Sequence, residues 1–301
     1  MIALPPFITA QLPEGWRSHE IATGGERMHA FEWNPDGEKT VVMVHGNPTW
    51  SFLWRKVVAA LRVQAPALRI VAPDLVGLGL STKPAMRAHA IENHGAWLGG
   101  LLDQLAPGPA ILAAQDWGGP IGLCAYLDRQ PRLRGIVLGN TAVSPPAAGF
   151  KPTLFHRLSQ LPIASDLLFR GLGFPLGLLH TSQGDRSTIR GDVARAYRWP
   201  LARIADRAAP LALARMVPDS LTHRSVPQLE KTEALFVSAK VPVELVWGTR
   251  DPILGRVINH LQRLRPDSIV TRTQAGHFLQ EEVPEVLATA IADVAARADW
   301  S

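Results

Sequence analysis

The stretch AILAAQDWGGPIG, Ala110 to Gly122, sets an apolar run against a turn and then a second run rich in small residues. A short continuous apolar run that ends in turn residues reads as a buried strand, and Gly119 to about Arg129 reads as a helix. Between them, Ala114-Gln115-Asp116-Trp117-Gly118 has the small-x-nucleophile-x-small spacing of the sharp strand-to-helix turn on which hydrolytic enzymes mount a nucleophile. Small residues are needed there because the turn brings two backbones together and holds the central side chain in a strained conformation. The central residue is Asp116, a carboxylate where a serine is usual.

Apolar runs alternate with helical patterns on both sides of this turn. "TVVMVHG" precedes a helix from about Ser51 to Arg62, "LRIVAPD" a helix around Ile91 to Leu105, and "LRGIVLGN" follows the helix after Asp116. Later come "VPVELVWGTRD", a helix near Leu254 to Leu264, "SIVTRTQAGH" and a closing helix from about Pro284 to Ala298. Short apolar strands separated by helices predict a mostly parallel sheet flanked by helices, with ligands bound beyond the carboxyl ends of the strands. "GWRSHEIA" and "RMHAFEW" predict a hairpin pair ahead of it. Residues 144–227 carry no strand signal; Pro, Gly and Leu dominate, then Arg and Ala. They predict a helical cap inserted into a core made of 1–143 and 228–301.

At 301 residues and 47% hydrophobic, the chain can bury a large core, and one α/β domain with an insertion accounts for the length. The opening "MIALPPFITAQLPEG" lacks the basic flank and apolar run of a secretory signal, so the expected address is cytoplasmic. The single cysteine, Cys124, excludes an internal disulfide and reads as a small core residue. The net charge of +5 is unevenly placed: Ala147 to Ser225 holds 11 Lys and Arg against 5 Asp, a local net of +6. No nucleic-acid motif accompanies these basic residues. A solvated basic face is the simpler reading, and an anionic membrane surface or an acidic partner enzyme the sharper one.

Chain order supplies the chemistry. This kind of turn is followed in sequence by an acid and then a base. Asp251 ends "ELVWGTRD" and His277 lies in "TQAGHFLQ", both where loops leave the carboxyl edge of the sheet. Alone, Asp251 before Pro252 could be a turn residue and His277 an exposed loop residue; in this order after Asp116 they read as a catalytic triad. His45-Gly46-Asn47-Pro48 follows "VVMV", where the loop donates a backbone N–H to an oxyanion hole, and the residue after the nucleophile donates the other. The two donors are then Asn47 and Trp117, whose amide and indole N–H groups are further donors.

These motifs together resemble the haloalkane dehalogenase family of α/β-hydrolases. "HGNPTWSFLWR", "APDLVGLGLSTKP", "QDWGGP", "WGTRDPILG" and "AGHFLQEEVP" carry the resemblance over nearly the whole chain. It implies Asp116 as nucleophile, His277 as base, Asp251 as acid, and Asn47 with Trp117 as the pair that stabilises the oxyanion and the leaving halide. One group of the family places a Glu after the strand corresponding to "GIVLGN", which here continues "TAVSPP" without an acid. Another uses a cap tryptophan in place of Asn, for which Trp199 is a weak match. Asn47 with Asp251 resembles a third group.

That third group also resembles bacterial β-lactone decarboxylases, which convert a lactone bearing long alkyl chains to an alkene and CO2. The Leu/Phe/Pro-rich stretch from Leu154 to Leu179 suits either a long acyl channel or a greasy dehalogenase pocket. Epoxide hydrolases use two cap tyrosines, and this chain has only Tyr126 and Tyr197. Haloacetate dehalogenases typically follow the nucleophile with Arg, where Trp117 stands. A ligand sensor that keeps the fold without turnover is the reading outside enzymes, and release of halide or CO2 separates it. The expected substrate is small and apolar, a haloalkane or a long-chain β-lactone. No nucleotide, flavin or metal motif is present, so no cofactor is expected, and an oligomer is compatible with the sequence.

Overall fold

The computed structural model describes residues 3–147 and 154–301, with the side chains of 154–156 left aside. Lys151, counted above among the basic residues, and the start of the Leu154 to Leu179 stretch as a lining therefore fall outside the described residues.

After a short helix α1 (Pro6–Thr9), strands β1 (Arg17–Thr23) and β2 (Glu26–Trp33) form the expected hairpin. Then follow β3 (Lys39–Val44), α2 (Arg55–Gln64), β4 (Leu68–Pro73), α3 (Ile91–Leu105), β5 (Ala110–Gln115), α4 (Gly118–Tyr126) and β6 (Leu133–Gly139). The insertion holds α5 (Leu154–Gln160), a π-helical turn (Asp166–Gly171), α6 (Gly191–Arg198) and α7 (Ala208–Met216). Next come α8 (Val226–Ser238), β7 (Val243–Gly248), α9 (Ile258–Leu264), β8 (Ile269–Thr273), α10 (Leu279–Glu282) and α11 (Pro284–Arg297). The sheet order is β1-β2-β4-β3-β5-β6-β7-β8, antiparallel through β1, β2 and β4 and parallel from β4 onward.

Alternation along the central strands sorts side chains to the two faces. Val42, Val44, Leu112, Ala114, Ile136 and Leu138 join a core layer with α3, α4 and α8. Val41, Met43, Ile111, Ala113 and Val137 join a second layer with α2 and α11. Every residue of β5 and β7 is buried, because helices cover both faces; that is why β5 reads as an apolar run up to Gln115 and β7 as one broken only by Glu244. Cys124 lies in the first layer, and burial pushes its thiol up to about 11.

Several boundaries differ from the sequence reading: the helix expected from Ser51 opens with a 3-10 turn (Ser51–Trp54) before α2, and α4 ends at Tyr126 rather than near Arg129. The helix expected from Leu254 starts at Ile258, because Asp251 Oδ1 accepts the Ile253 N–H at 2.7 Å and holds the chain after β7 in a turn. Helix α8 starts at Val226 and so crosses the expected edge of the insertion at 227. Among the described residues, the insertion contains no strand, and no helix of the chain is long and apolar enough to cross a membrane.

The insertion is fastened to loops at the carboxyl ends of the strands. Asn47 Nδ2, just past β3, donates to Pro210 O in α7 at 3.1 Å, and Trp50 Nε1 donates to Ala196 O in α6 at 3.2 Å. The Tyr197 hydroxyl donates to Glu281 Oε1 at 2.6 Å, and Arg55 meets the same carboxylate with two N–H groups at 2.5 and 2.9 Å. This buried bidentate pair, 226 residues apart in sequence, joins α2 to α10.

Candidate active site

Asp116 sits between β5 and α4 with φ +51, in the left-handed region that Asp tolerates better than most residues. Three bonds hold it there: its N–H donates to Asn140 O at 3.0 Å, and its carbonyl accepts from Gly119 N at 3.1 Å and Thr141 Oγ1 at 2.5 Å. Gly118, one of the small residues expected at this turn, has a contact that requires it. A Cβ on Gly118 would lie 2.2 Å from Val44 O.

The carboxylate is held asymmetrically. Oδ1 accepts the Asn47 backbone N–H at 2.7 Å, while Oδ2 lies 3.6 Å from His277 Nε2. The Trp117 backbone N–H also favours the charged carboxylate. Burial raises the Asp116 pKa, opposed by the His277 charge and by the two backbone donors. Asn47 uses one side-chain N–H on Pro210 O, which leaves the second for another acceptor.

His45 holds the Asn47 loop in place. Its Nε2 accepts the Leu75 N–H at 2.9 Å and its Nδ1 lies 2.8 Å from Gly46 O, so the proton is on Nδ1; burial lowers its pKa and keeps the ring neutral. The neighbouring Asp74 accepts N–H bonds from Ser51 at 2.7 Å and Leu80 at 2.8 Å and pairs with His29 at 2.8 Å. Although burial alone would raise it, these partners hold the carboxyl at about 2.

Gly46 lets the carboxylate reach its donor. A Cβ there would stand 2.2 Å from Asp116 Oδ1 and 2.4 Å from Asp116 Cβ. Gly46→Ala is therefore expected to displace the carboxylate and lower turnover by about 100-fold, because misplacement by about 1 Å costs that much. Steady-state kinetics alongside a melting curve check this; undiminished turnover would show that the contact is not needed.

His277 Nδ1 bonds Asp251 Oδ2 at 2.8 Å. For His277, burial pulls the pKa down, but the charge and hydrogen bond of Asp251 and the charge of Asp116 outweigh it, and the net shift is upward. For Asp251, burial pulls the pKa up, but His277, the Asn140 amide and the Ile253 N–H outweigh it, and the net shift is downward. The structure thus brings Asp116, His277, Asp251 and the backbone N–H groups of Asn47 and Trp117 together at one edge of the sheet.

Three further residues take part that the sequence reading does not single out. Asn140, at the end of β6, donates Nδ2 to Asp251 Oδ2 at 2.7 Å and to Gly248 O at 3.0 Å, and its Oδ1 accepts the Gly248 N–H at 2.7 Å. With its own carbonyl on Asp116, it ties nucleophile and acid to one residue. Gln115 Nε2 donates to His277 O at 3.1 Å. Gln183, in the insertion, brackets the next peptide: its Oε1 accepts the Phe278 N–H at 2.9 Å and its Nε2 donates to Phe278 O at 3.1 Å. The His277 N–H itself donates to Ser182 O at 2.9 Å.

Asn140→Ala removes the amide from three buried partners at once. The expected cost is about 1–3 kcal/mol, the penalty for buried polar groups left unpaired, read as a lower urea midpoint with an unchanged slope. An unaltered midpoint would refute the tie.

The alpha/beta hydrolase fold family model matches residues 39–284. Haloalkane dehalogenase 2 of Mycobacterium tuberculosis is 32% identical over 254 residues, covering 83% of this chain and 86% of that protein. A haloalkane dehalogenase structure from Bradyrhizobium elkani aligns with a TM-score of 0.83 at 24% identity, over 93% of this chain and 98% of that one; this is a likeness of fold. A tetrameric haloalkane dehalogenase from Paraglaciecola agarilytica gives 0.81 at 25% identity, over 96% of each chain. A family match across most of the length and a relative at this identity carry one conclusion: the chain belongs to the α/β-hydrolase family and is an enzyme of the haloalkane dehalogenase type.

Proposed function

We propose that this enzyme cleaves a carbon–halogen bond in a small apolar substrate through an ester formed on Asp116. The observation that carries the reading is the division of labour within one carboxylate, Oδ1 held by the Asn47 N–H and Oδ2 directed toward His277. Oδ2 attacks the saturated carbon, a C–O bond forms, and the halide leaves with the electron pair of the C–X bond. A carboxylate needs no deprotonation for this step, which is why aspartate can replace serine. The Trp117 indole N–H and the free amide N–H of Asn47 are the donors proposed for the halide.

The ester is then hydrolysed. His277 Nε2 takes a proton from water, whose oxygen attacks the Asp116 carboxyl carbon, and negative charge collects on Oδ1 beside the backbone donors of Asn47 and Trp117. Collapse breaks the bond from that carbon to the ester oxygen, and the proton on His277 goes to the departing alcohol. Asp251 orients the imidazole and stabilises its charged form. In this reading, the insertion 144–227 is the cap over the site, and its positive face is the surface for an anionic partner.

The pH dependence has a definite sign. The base works only when neutral, and His277 is held above its ordinary value, so the rate of ester hydrolysis rises as pH increases through a midpoint. Esterification removes the Asp116 charge, one of the causes of that elevation, so the midpoint for hydrolysis should fall below the His277 midpoint in the free enzyme. Single-turnover rates against pH, set beside an NMR titration of His277, check the order; the reverse order would refute the coupling. By the same sign, pairing of His277 adds to stability below pH 6.5 and is lost as pH rises through the folded value.

The tyrosines support halide over epoxide chemistry. Tyr126 and Tyr197 are both buried, and the Tyr197 hydroxyl is committed to Glu281. Bromoalkanes of several lengths, assayed beside a synthetic cis-β-lactone with long alkyl chains, test the leaving group. Halide and alcohol are the expected products. Negligible halide release with rapid formation of alkene and CO2 would replace this reading with lactone decarboxylation.

A further inference from the structure

The insertion turns a line of apolar side chains to solvent. Ile163, Leu167 and Leu172 are 82%, 65% and 76% exposed. The Leu167 N–H donates to Ile163 O and the Leu172 N–H to Leu167 O, each at 2.9 Å. The first bond spans four residues and starts from Ile163, which stands just ahead of the helical residues; the second closes a π-turn of five and sets Leu172 on the same face as Leu167. An unbroken α-helix would place Gly171 beside Leu167; the wider turn brings Leu172 there instead. Ile163 also has φ +61, a costly conformation for a β-branched residue and one that tends to be kept where it serves a function. The turn Ile204–Asp206 packs against the π-turn and adds exposed Ile204, with Arg203 next to it 81% exposed and only loosely paired with Asp206 at 4.0 Å. Arg157 is exposed six residues ahead of Ile163.

Several contiguous exposed apolar side chains mark an interaction surface, and charge and residue type choose the occupant. The insertion carries 11 Lys and Arg against 5 Asp, so a second copy would bring the same sign of charge against it. Among the described residues of this region, Phe169 and Phe174 pack edge to face on one another at 5.1 Å, and the exposed side chains Ile163, Leu167 and Leu172 are aliphatic. Protein hot spots favour Trp, Tyr and Arg and are poor in Leu. Aliphatic tips edged by arginine suit a bilayer with anionic headgroups, the tips entering the acyl boundary and the guanidinium groups meeting phosphate.

We propose that the Ile163–Leu167–Leu172 line, with Arg203 at its margin and Arg157 exposed on the helix that precedes it, docks this enzyme on an anionic phospholipid surface. A bilayer would also concentrate an apolar substrate beside the insertion. The proposal builds on the reading of the insertion as a surface for an anionic partner. Vesicle binding is measured without turnover, so its failure leaves the ester mechanism standing.

The test is flotation of the full chain with phosphatidylcholine vesicles and with vesicles that also contain phosphatidylglycerol. Binding is expected only to the anionic vesicles, weakening as salt is raised. Leu167→Asp with Leu172→Asp should lower it about tenfold or more at an unchanged melting temperature. Arg157→Glu with Arg203→Glu should weaken it independently while leaving the apolar line intact. Absence of binding, binding that both double variants retain, or a variant effect confined to self-association measured by sedimentation would each overturn the proposal.

Discussion

Asp116→Asn is expected to lose at least about 10⁴-fold in turnover while keeping its fold. Asparagine is the informative replacement because it tolerates the left-handed conformation at φ +51, where alanine adds strain of about 1–2 kcal/mol. The neutral amide lacks the carboxylate electrons that displace the leaving group, so the loss falls on chemistry rather than on positioning. Removing a carboxylate that burial already disfavours should leave stability equal or slightly higher. The wild-type enzyme gives the complementary readout. In one turnover in isotopically labelled water, the label should enter the Asp116 carboxylate and not the alcohol, because water attacks the carboxyl carbon. Label in the alcohol would make Asp116 a base that activates water, and the ester reading would fall.

The second large effect is expected at His277. His277→Ala leaves Asp116 able to attack, so one equivalent of halide is released per enzyme and the ester then persists for want of a base. Intact-protein mass spectrometry should show the chain heavier by the alkyl group, with steady-state turnover lower by at least about 10³-fold. Asp251 would lose its imidazole partner but keep the Asn140 amide and the Ile253 N–H, so the variant is expected to fold. Normal turnover without an adduct would remove His277 from the mechanism.

The parts of this site legible in the sequence were those fixed by local backbone geometry. Spacing around Asp116 follows from a single tight turn, and the positions of Asn47, Asp251 and His277 follow from each ending a strand at the same edge of a parallel sheet. The fold was legible for a related reason, since β3, β5 and β7 are buried almost throughout and carry mostly apolar residues, VVMV in β3, AILAA in β5 and LVWG in β7. Asn140 was hidden because its partners lie 108 to 111 residues away and a lone Asn has no pattern. Its position at the end of the strand next to the nucleophile strand was the available signal. The Arg55–Glu281 pair was hidden in the same way, as were the contacts of Gln183, because side-chain recognition between distant segments leaves no periodicity to read.

The attachment of the histidine loop bears on how such enzymes can be recombined. Ser182 and Gln183 bind the backbone of His277 and Phe278, while Glu282 accepts N–H bonds from Gly184 at 3.0 Å, Asp185 at 2.8 Å and Gly276 at 2.8 Å. The base is thus moored partly to the insertion and only partly to the sheet. Chimaeras that exchange the segment between β6 and β7 must keep the side chain of Gln183 and the small residue at 184, where a Cβ would lie 2.5 Å from Gln274 O, whereas positions 182 and 185 take part through their backbone.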